Sequence, residues 1–211
     1  MKRSLVPFFS TLAALGVLAF ASTASAQEAG DDHEQVVGKF GVGYFGISSL
    51  PVMSGAGTGE GSIQAPVIGM RYWMMQKLGI DAGVGFNASN NGWGFAIHGG
   101  LPIALATAKH MTFEVVPEAT VGFAGNSQGN VTDSGLRLDI GARIGGEIQF
   151  GFIGIPQLAL QAGVGVYMEH DSWSWSSNNQ SGSQSSTVFT TSVGSNPWGV
   201  FTDNVSALYY F

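Results

Sequence analysis

Residues 136–149 read Leu-Arg-Leu-Asp-Ile-Gly-Ala-Arg-Ile-Gly-Gly-Glu-Ile-Gln. Leu136, Leu138, Ile140, Ala142, Ile144 and Ile148 occupy one parity, and Arg137, Asp139, Arg143, Glu147 and Gln149 the other. A period of two sends alternate side chains to opposite faces of a β-strand. Here one face is wholly apolar and the other is charged. The run also exceeds the roughly 9–11 residues that a tilted strand needs to cross a bilayer.

Seven further segments follow the same rule. Phe40, Val42 and Tyr44 alternate with Lys39, Gly41 and Gly43. Ile68, Met70 and Tyr72 oppose Val67, Gly69, Arg71 and Trp73. Leu78, Ile80, Ala82, Val84 and Phe86 oppose Gly79, Asp81, Gly83 and Gly85. Trp93, Phe95, Ile97, Leu101 and Ile103 oppose Gly94, Ala96, His98 and Gly100. Phe113, Val115, Ala119, Val121 and Phe123 oppose Glu114, Glu118 and Thr120. Leu158, Leu160, Ala162, Val164, Val166 and Met168 oppose Gln161, Gly163, Gly165 and Glu169. The chain ends with Val205, Ala207, Tyr209 and Phe211 opposite Asn204, Ser206, Leu208 and Tyr210. Connections 76–77, 106–110 and 151–156 are short, whereas 51–61, 124–134 and 170–197 read as long loops. The 88–92 connection is short but falls on the long-loop side. Alternating short turns and longer outer loops is the asymmetry of outer-membrane barrels. The expected fold is all-β: an eight-stranded antiparallel up-and-down transmembrane β-barrel over residues 36–211.

Composition agrees. Of 211 residues, 32 are Gly, none is Cys and only 10% are charged, against about 25% in ordinary soluble domains. Eight basic residues against 14 acidic ones leave no basic patch for nucleic acid. An apolar share of 45% argues against disorder. After the first segment no apolar run of about 18 residues offers a spanning helix.

Lys2 and Arg3 precede an apolar stretch to about Phe20, and Ala24-Ser25-Ala26 then supplies a small-residue cleavage pattern. Residues 1–26 read as a secretory signal peptide; a transmembrane anchor is the alternative. Export of a cysteine-free chain points to a bacterial envelope protein that does without disulfides. Residues 27–35 are acidic and aperiodic, which predicts a flexible periplasmic tail.

A charged side chain facing lipid at midplane costs about 2–4 kcal/mol for Arg or Lys, so the charged faces should point inward. The expected lumen network comprises Lys39, Arg71, Asp81, Glu114, Glu118, Arg137, Asp139, Arg143, Glu147 and Glu169. Aromatic residues near strand ends are expected to form interfacial girdles: Tyr44, Phe86, Trp93, Phe95 and Phe123 toward the long loops, and Tyr72, Phe113, Phe150 and Tyr209 toward the turns. The inward glycines leave space either for a narrow channel or for long Arg and Glu side chains to fill an eight-stranded lumen.

The terminal Ser206-Ala207-Leu208-Tyr209-Tyr210-Phe211, with apolar residues at alternate positions back to Val205, resembles the C-terminal signal read by the outer-membrane assembly machinery. With the export signal, the chain resembles the small eight-stranded outer-membrane β-barrels of Gram-negative bacteria, the OmpA and OmpX type. The resemblance implies the bacterial outer membrane as location, its lipids and lipopolysaccharide as surroundings, and the assembly machinery as a partner. Val205, Ala207, Tyr209 and Phe211 would carry the assembly signal.

Candidate chemistry is sparse. Ser, His and Asp occur, but a catalytic triad is defined by geometry, not by occurrence. His98 falls on an inward face and suits a hydrogen-bonded interior role, while His110 sits in a turn. Asp31-Asp32-His33-Glu34 reads as a solvated cluster before it reads as a cation site. No cofactor, metal or enzymatic activity is expected. The leading expectation is a non-enzymatic barrel with a polar, ion-paired lumen and a structural or surface role. A porin-like diffusion channel is one alternative. An adhesin or ligand-binding protein acting through the 170–197 loop, with Trp173 and Trp175 as recognition residues, is the other.

Overall fold

A computed structural model describes residues 30–53, 60–90, 92–178, 180–192 and 205–211. The expected export signal, the first residues of the tail, and parts of the 51–61 and 170–197 connections lie outside them. Among the described residues there are ten strands: β1 (Phe40–Met53), β2 (Glu60–Met75), β3 (Leu78–Ala88), β4 (Gly92–Gly100), β5 (Ile103–Ala108), β6 (Met111–Gln128), β7 (Val131–Phe150), β8 (Ile155–Ser177), β9 (Gln180–Thr191) and β10 (Val205–Tyr210). One five-residue helix, α1 (Asp32–Val36), precedes them.

Strand pairings are antiparallel, and the sheet follows chain order except that β4 does not pair with β5, nor β9 with β10. β10 pairs with both β8 and β1, closing the sheet into a ring. Two wall positions are each built from two strands. β4 and β5 form one wall strand broken at Pro102, which has no N–H to give a ladder. β9 and β10 both lie along β8, β9 on Val166–Ser177 and β10 on Leu158–Ala162. By wall position this is an up-and-down ring of eight strands, compatible with a β-barrel.

Parity sorts the faces as the alternation requires. Outward positions keep large apolar side chains exposed, among them Ile68, Val84, Phe86, Ile97, Ile144 and Val164. Inward positions are buried and largely polar or glycine. Phe86, Phe95 and Phe123 stand side by side across β3, β4 and β6. At the other end Phe40 stacks on Tyr72 with ring centroids 4.7 Å apart.

Three expectations are corrected. The 124–134 loop is a tight hairpin: β6 runs to Gln128 and β7 starts at Val131, joined through Gly129 at φ +61. The 170–197 loop is in large part a second hairpin, because β8 continues to Ser177 and pairs with β9 residue by residue. In β9, exposed Ser, Thr and Gln on both faces remove the apolar alternation while leaving the backbone ladder intact, so this strand carries no periodic signal. The tail is not wholly flexible either: Asp31 caps α1 by accepting from the Glu34 N–H at 2.8 Å, and the helix packs against the ring.

Candidate functional site

The chemistry of the chain is concentrated inside the ring, in layers that run from the turn end to the hairpin end. The α1 segment lies across the turn end. Asp32 Oδ2 accepts from the Gly151 N–H at 3.0 Å and meets His110 Nδ1 at 2.6 Å, while the Asp32 N–H donates to the Lys109 carbonyl. His33 Nε2 bonds the Gln76 carbonyl oxygen at 2.8 Å, and its ring stands edge-on to Trp73 at 4.5 Å. Three turns are thereby tied to one short segment. Val36 completes a buried cluster with Trp73, Ala104, Ala159, Leu208 and Tyr210.

Above that cluster lies a dry polar layer. Arg71 donates through Nε and Nη2 to the two carboxylate oxygens of Asp81, both at 2.7 Å. Its Nη1 reaches Glu147 at 2.6 Å and Glu114 at 3.3 Å. All four side chains are fully buried. Gln149 donates to Glu147 Oε1 at 2.9 Å, and the Tyr210 hydroxyl donates to the same carboxylate at 3.1 Å while accepting from Trp73 Nε1 at 3.2 Å. Arg71 suits this role because a planar guanidinium can grip one carboxylate bidentately and still reach others.

The next layers are wetter. Arg143 Nε donates to Glu118 Oε2 at 2.8 Å, and the Tyr167 hydroxyl donates to Glu118 Oε1 at 2.6 Å. His98 Nδ1 shares a hydrogen bond with Thr120 Oγ1 at 3.0 Å. Higher still, Arg137 meets Asp139 at 2.9 Å, Glu169 at 2.7 Å and Asp171 at 3.5 Å. These four side chains are roughly one-fifth exposed, against none for the Arg71 layer.

The hairpin end is narrowed by the first hairpin. A bulge between Tyr44 and Ile47, with Gly46 at φ +100, flips the parity of β1. Ser48, Leu50 and Val52 then point inward and are buried. β2 parts from β3 above the Val67–Gly85 pair. The upper halves of β1 and β2 fold over the inside of the far wall. A Cβ at Gly122 or Gly94 would collide with Leu50, and one at Gly135 with the Pro51 carbonyl. Leu50, Val52, Ala65 and Ala124 form a second buried apolar cluster. The other side of this hairpin faces two cavities of about 350 and 490 Å³, which share Ser49 and Arg137 in their walls.

Among the ten residues expected in the network, nine lie in these layers. The tenth, Lys39, does not: it precedes β1, half-exposed, and joins no ion pair among the described residues. Its N–H bonds the Val36 carbonyl, because α1 holds this stretch outside the ladder. Arg71, Asp81, Glu114 and Glu147 come together across the lumen, Arg143 with Glu118 across β6 and β7, and Arg137 with Asp139 and Glu169. Sequence reading missed Asp171 and Tyr167, although both share the inward parity of Glu169, and it placed Gln161 on that face without joining it to Arg71, whose Nη2 donates to Gln161 Oε1 at 3.3 Å. It also missed the Trp73–Tyr210 pair and the inward hairpin, for which the sequence carries no periodic signal.

The girdle residues Phe86, Trp93, Phe123 and Tyr209 are outward and exposed, while Tyr44, Tyr72, Phe95, Phe113 and Phe150 are half-buried between neighbours. Val205, Ala207, Tyr209 and Phe211 keep the outward parity of β10. Trp173, expected on an exposed loop, is instead a strand residue only 6% exposed, lining the 490 Å³ cavity with Asp171. Trp175 is half-buried, its indole held over Gly182. No protein-family model, curated protein or solved structure matches the chain.

Proposed function

We propose that this chain is an integral outer-membrane β-barrel of the OmpA and OmpX kind, without enzymatic activity. Its lumen is sealed, and it serves the envelope structurally or through its hairpin end. The observation that carries the reading is the Arg71 layer: a fully buried guanidinium bridges carboxylates from three other wall strands across the lumen, which supports closure at that level.

The membrane part of the reading rests on the outer face. Leu136 to Ile148 on β7 spans about 40 Å of strand, or about 30 Å of height at a tilt of about 40°. That is close to the roughly 25 Å apolar band of an outer-membrane barrel. Aromatics cluster near both edges of this surface. A contiguous apolar belt of this extent would make a soluble monomer aggregate. Outer-membrane lipids and lipopolysaccharide are then the surrounding solvent, and the outward Tyr209 and Phe211 are available to the assembly machinery.

Refolding the chain into detergent or phospholipid vesicles tests the reading. A heat-modifiable electrophoretic band and strands protected from added protease are expected. A protein that remains soluble and monomeric without detergent contradicts it. A diffusion channel is the competing reading, favoured by the two cavities beside Arg137, and conductance separates it from the sealed lumen.

A further inference from the structure

Directly above Phe95 and Phe123, one outward row of residues crosses five wall positions. Trp93, Gly125, Ser134, Ser174 and Ser183 are direct cross-strand partners from β4 to β9, so they share one face. Two residues higher, Ser127, Thr132, Ser176 and Ser181 repeat the pattern on β6 to β9. The rows are about 7 Å apart, and the first is about 19 Å from end to end. Every Ser and Thr in them is exposed. Two open hollows of about 460 and 560 Å³ follow this face and share Thr132 and Ser134.

The chemistry of the face is uniform. Neither row holds a charged side chain, and Asp133, between them, is buried with the opposite parity. A phosphate or carboxylate therefore finds no cation here to grip it. The face offers hydroxyls instead, which both donate and accept, with Ser134 and Ser174 linked through their Oγ atoms at 2.9 Å. Trp93 ends the row as an apolar platform. Its indole lies over Gly125, where a Cβ would collide with it, and the residue is still 48% exposed. The row also climbs away from the lipid belt. On β4 and β6 the next residues down are the girdle aromatics Phe95 and Phe123. On β9, Ser183 stands three outward positions above the exposed Phe189. A ligand along the row starts at the lipid edge and rises into water, as the headgroup of a lipid does.

We propose that this face binds the uncharged saccharide headgroup of a glycolipid in the outer leaflet. One sugar ring stacks its C–H face on Trp93, and the following sugars exchange hydrogen bonds with Ser134, Ser174 and Ser183. An apolar protein partner fits less well, because it would cover these hydroxyls without satisfying them. The inference rests on the outer-membrane reading, and it turns lipopolysaccharide from surrounding solvent into a partner held at a defined place.

The test folds the full-length protein into phospholipid vesicles that carry, at equal mole fraction, either lipopolysaccharide with its core oligosaccharide or lipid A. Lipid A keeps the acyl chains and phosphates and lacks the core sugars. After extraction in mild detergent, the glycolipid retained per protein is counted by native mass spectrometry. Retention of the core-bearing glycolipid about tenfold above that of lipid A is expected. Trp93→Ala should reduce it about tenfold, the worth of one aromatic anchor. Ser134→Ala combined with Ser174→Ala should reduce it severalfold, and both variants should keep the heat-modifiable band. Equal retention of lipid A, retention of neither, or retention untouched by both variants overturns the site. Core oligosaccharide freed of its lipid should bind about tenfold more weakly, because anchoring in the same membrane raises the effective concentration. Equal affinity for the free sugar overturns the assignment to a membrane glycolipid. A protein that does not insert into the vesicles removes the outer-membrane reading and the site together, whereas insertion without selective retention removes the site alone.

Discussion

Arg71 and Glu147 stand on diametrically opposed wall strands, yet Nη1 of the one lies 2.6 Å from Oε2 of the other. β2 and β7 are four positions apart in a ring of eight, so this contact spans the full width of the lumen. Leu50 on β1 and Gly122 on β6 are likewise four positions apart and also meet. One closure is ionic and dry. The other is apolar and made by a hairpin that leaves the wall.

Replacing Arg71 by Met leaves Glu114 and Glu147 buried without their cation, and Asp81 with only its longer contact to Arg143 at 3.6 Å. Removing one partner of a buried ion pair costs about 3–5 kcal/mol, and the urea midpoint of the refolded protein should fall accordingly. Arg71→Lys should recover part of the loss, since an ammonium cannot grip Asp81 bidentately. An unchanged midpoint in the Met variant would show that the layer does not hold the ring together.

Gly122→Val places a side chain where Leu50 already sits, and overpacking of this kind costs about 1–3 kcal/mol. Leu50→Ala removes the obstruction, so the double variant should be more stable than the two single losses summed. Strictly additive losses, measured by the same unfolding assay, would mean that the hairpin does not pack on β6.

Without residues 30–36, Trp73 loses the His33 edge contact and the cover of Val36. In a variant with Trp73 as sole tryptophan, acrylamide quenching should rise clearly on deletion of that segment. Equal quenching with and without it contradicts a closed turn end.

The ring was legible because lipid-like and lumen-like faces alternate strictly in segments such as 78–86 and 136–149. The inward charges followed from the same parity. What escaped was set by tertiary contact. The parity flip at Gly46 depends on where Leu50 finds a floor, and nothing local in 47–53 announces it. Beyond the apolar belt, 180–191 carries Ser, Thr and Gln on both faces and pairs with β8 through its backbone ladder and the His170–Thr187 side-chain bond at 2.7 Å. The capped turn of α1 is held by Gln76, Lys109, His110 and Gly151, residues far along the chain. Lys39 was misplaced because parity was extended past the end of a strand.

Val84 is outward at mid-height and more than half exposed. Val84→Arg should lower the stability of the protein folded in phospholipid vesicles by about 2–4 kcal/mol. The same replacement at Ser183, exposed on β9, should change it by no more than about 0.5 kcal/mol. Equal tolerance at both positions would count against a lipid-facing belt.

Planar-bilayer conductance of the refolded full-length protein measures directly whether the lumen is closed. The Arg71–Glu147 and Leu50–Gly122 closures predict no steady current from the unaltered protein. Stable, stepwise open-channel currents reproducibly carried by that protein would contradict it.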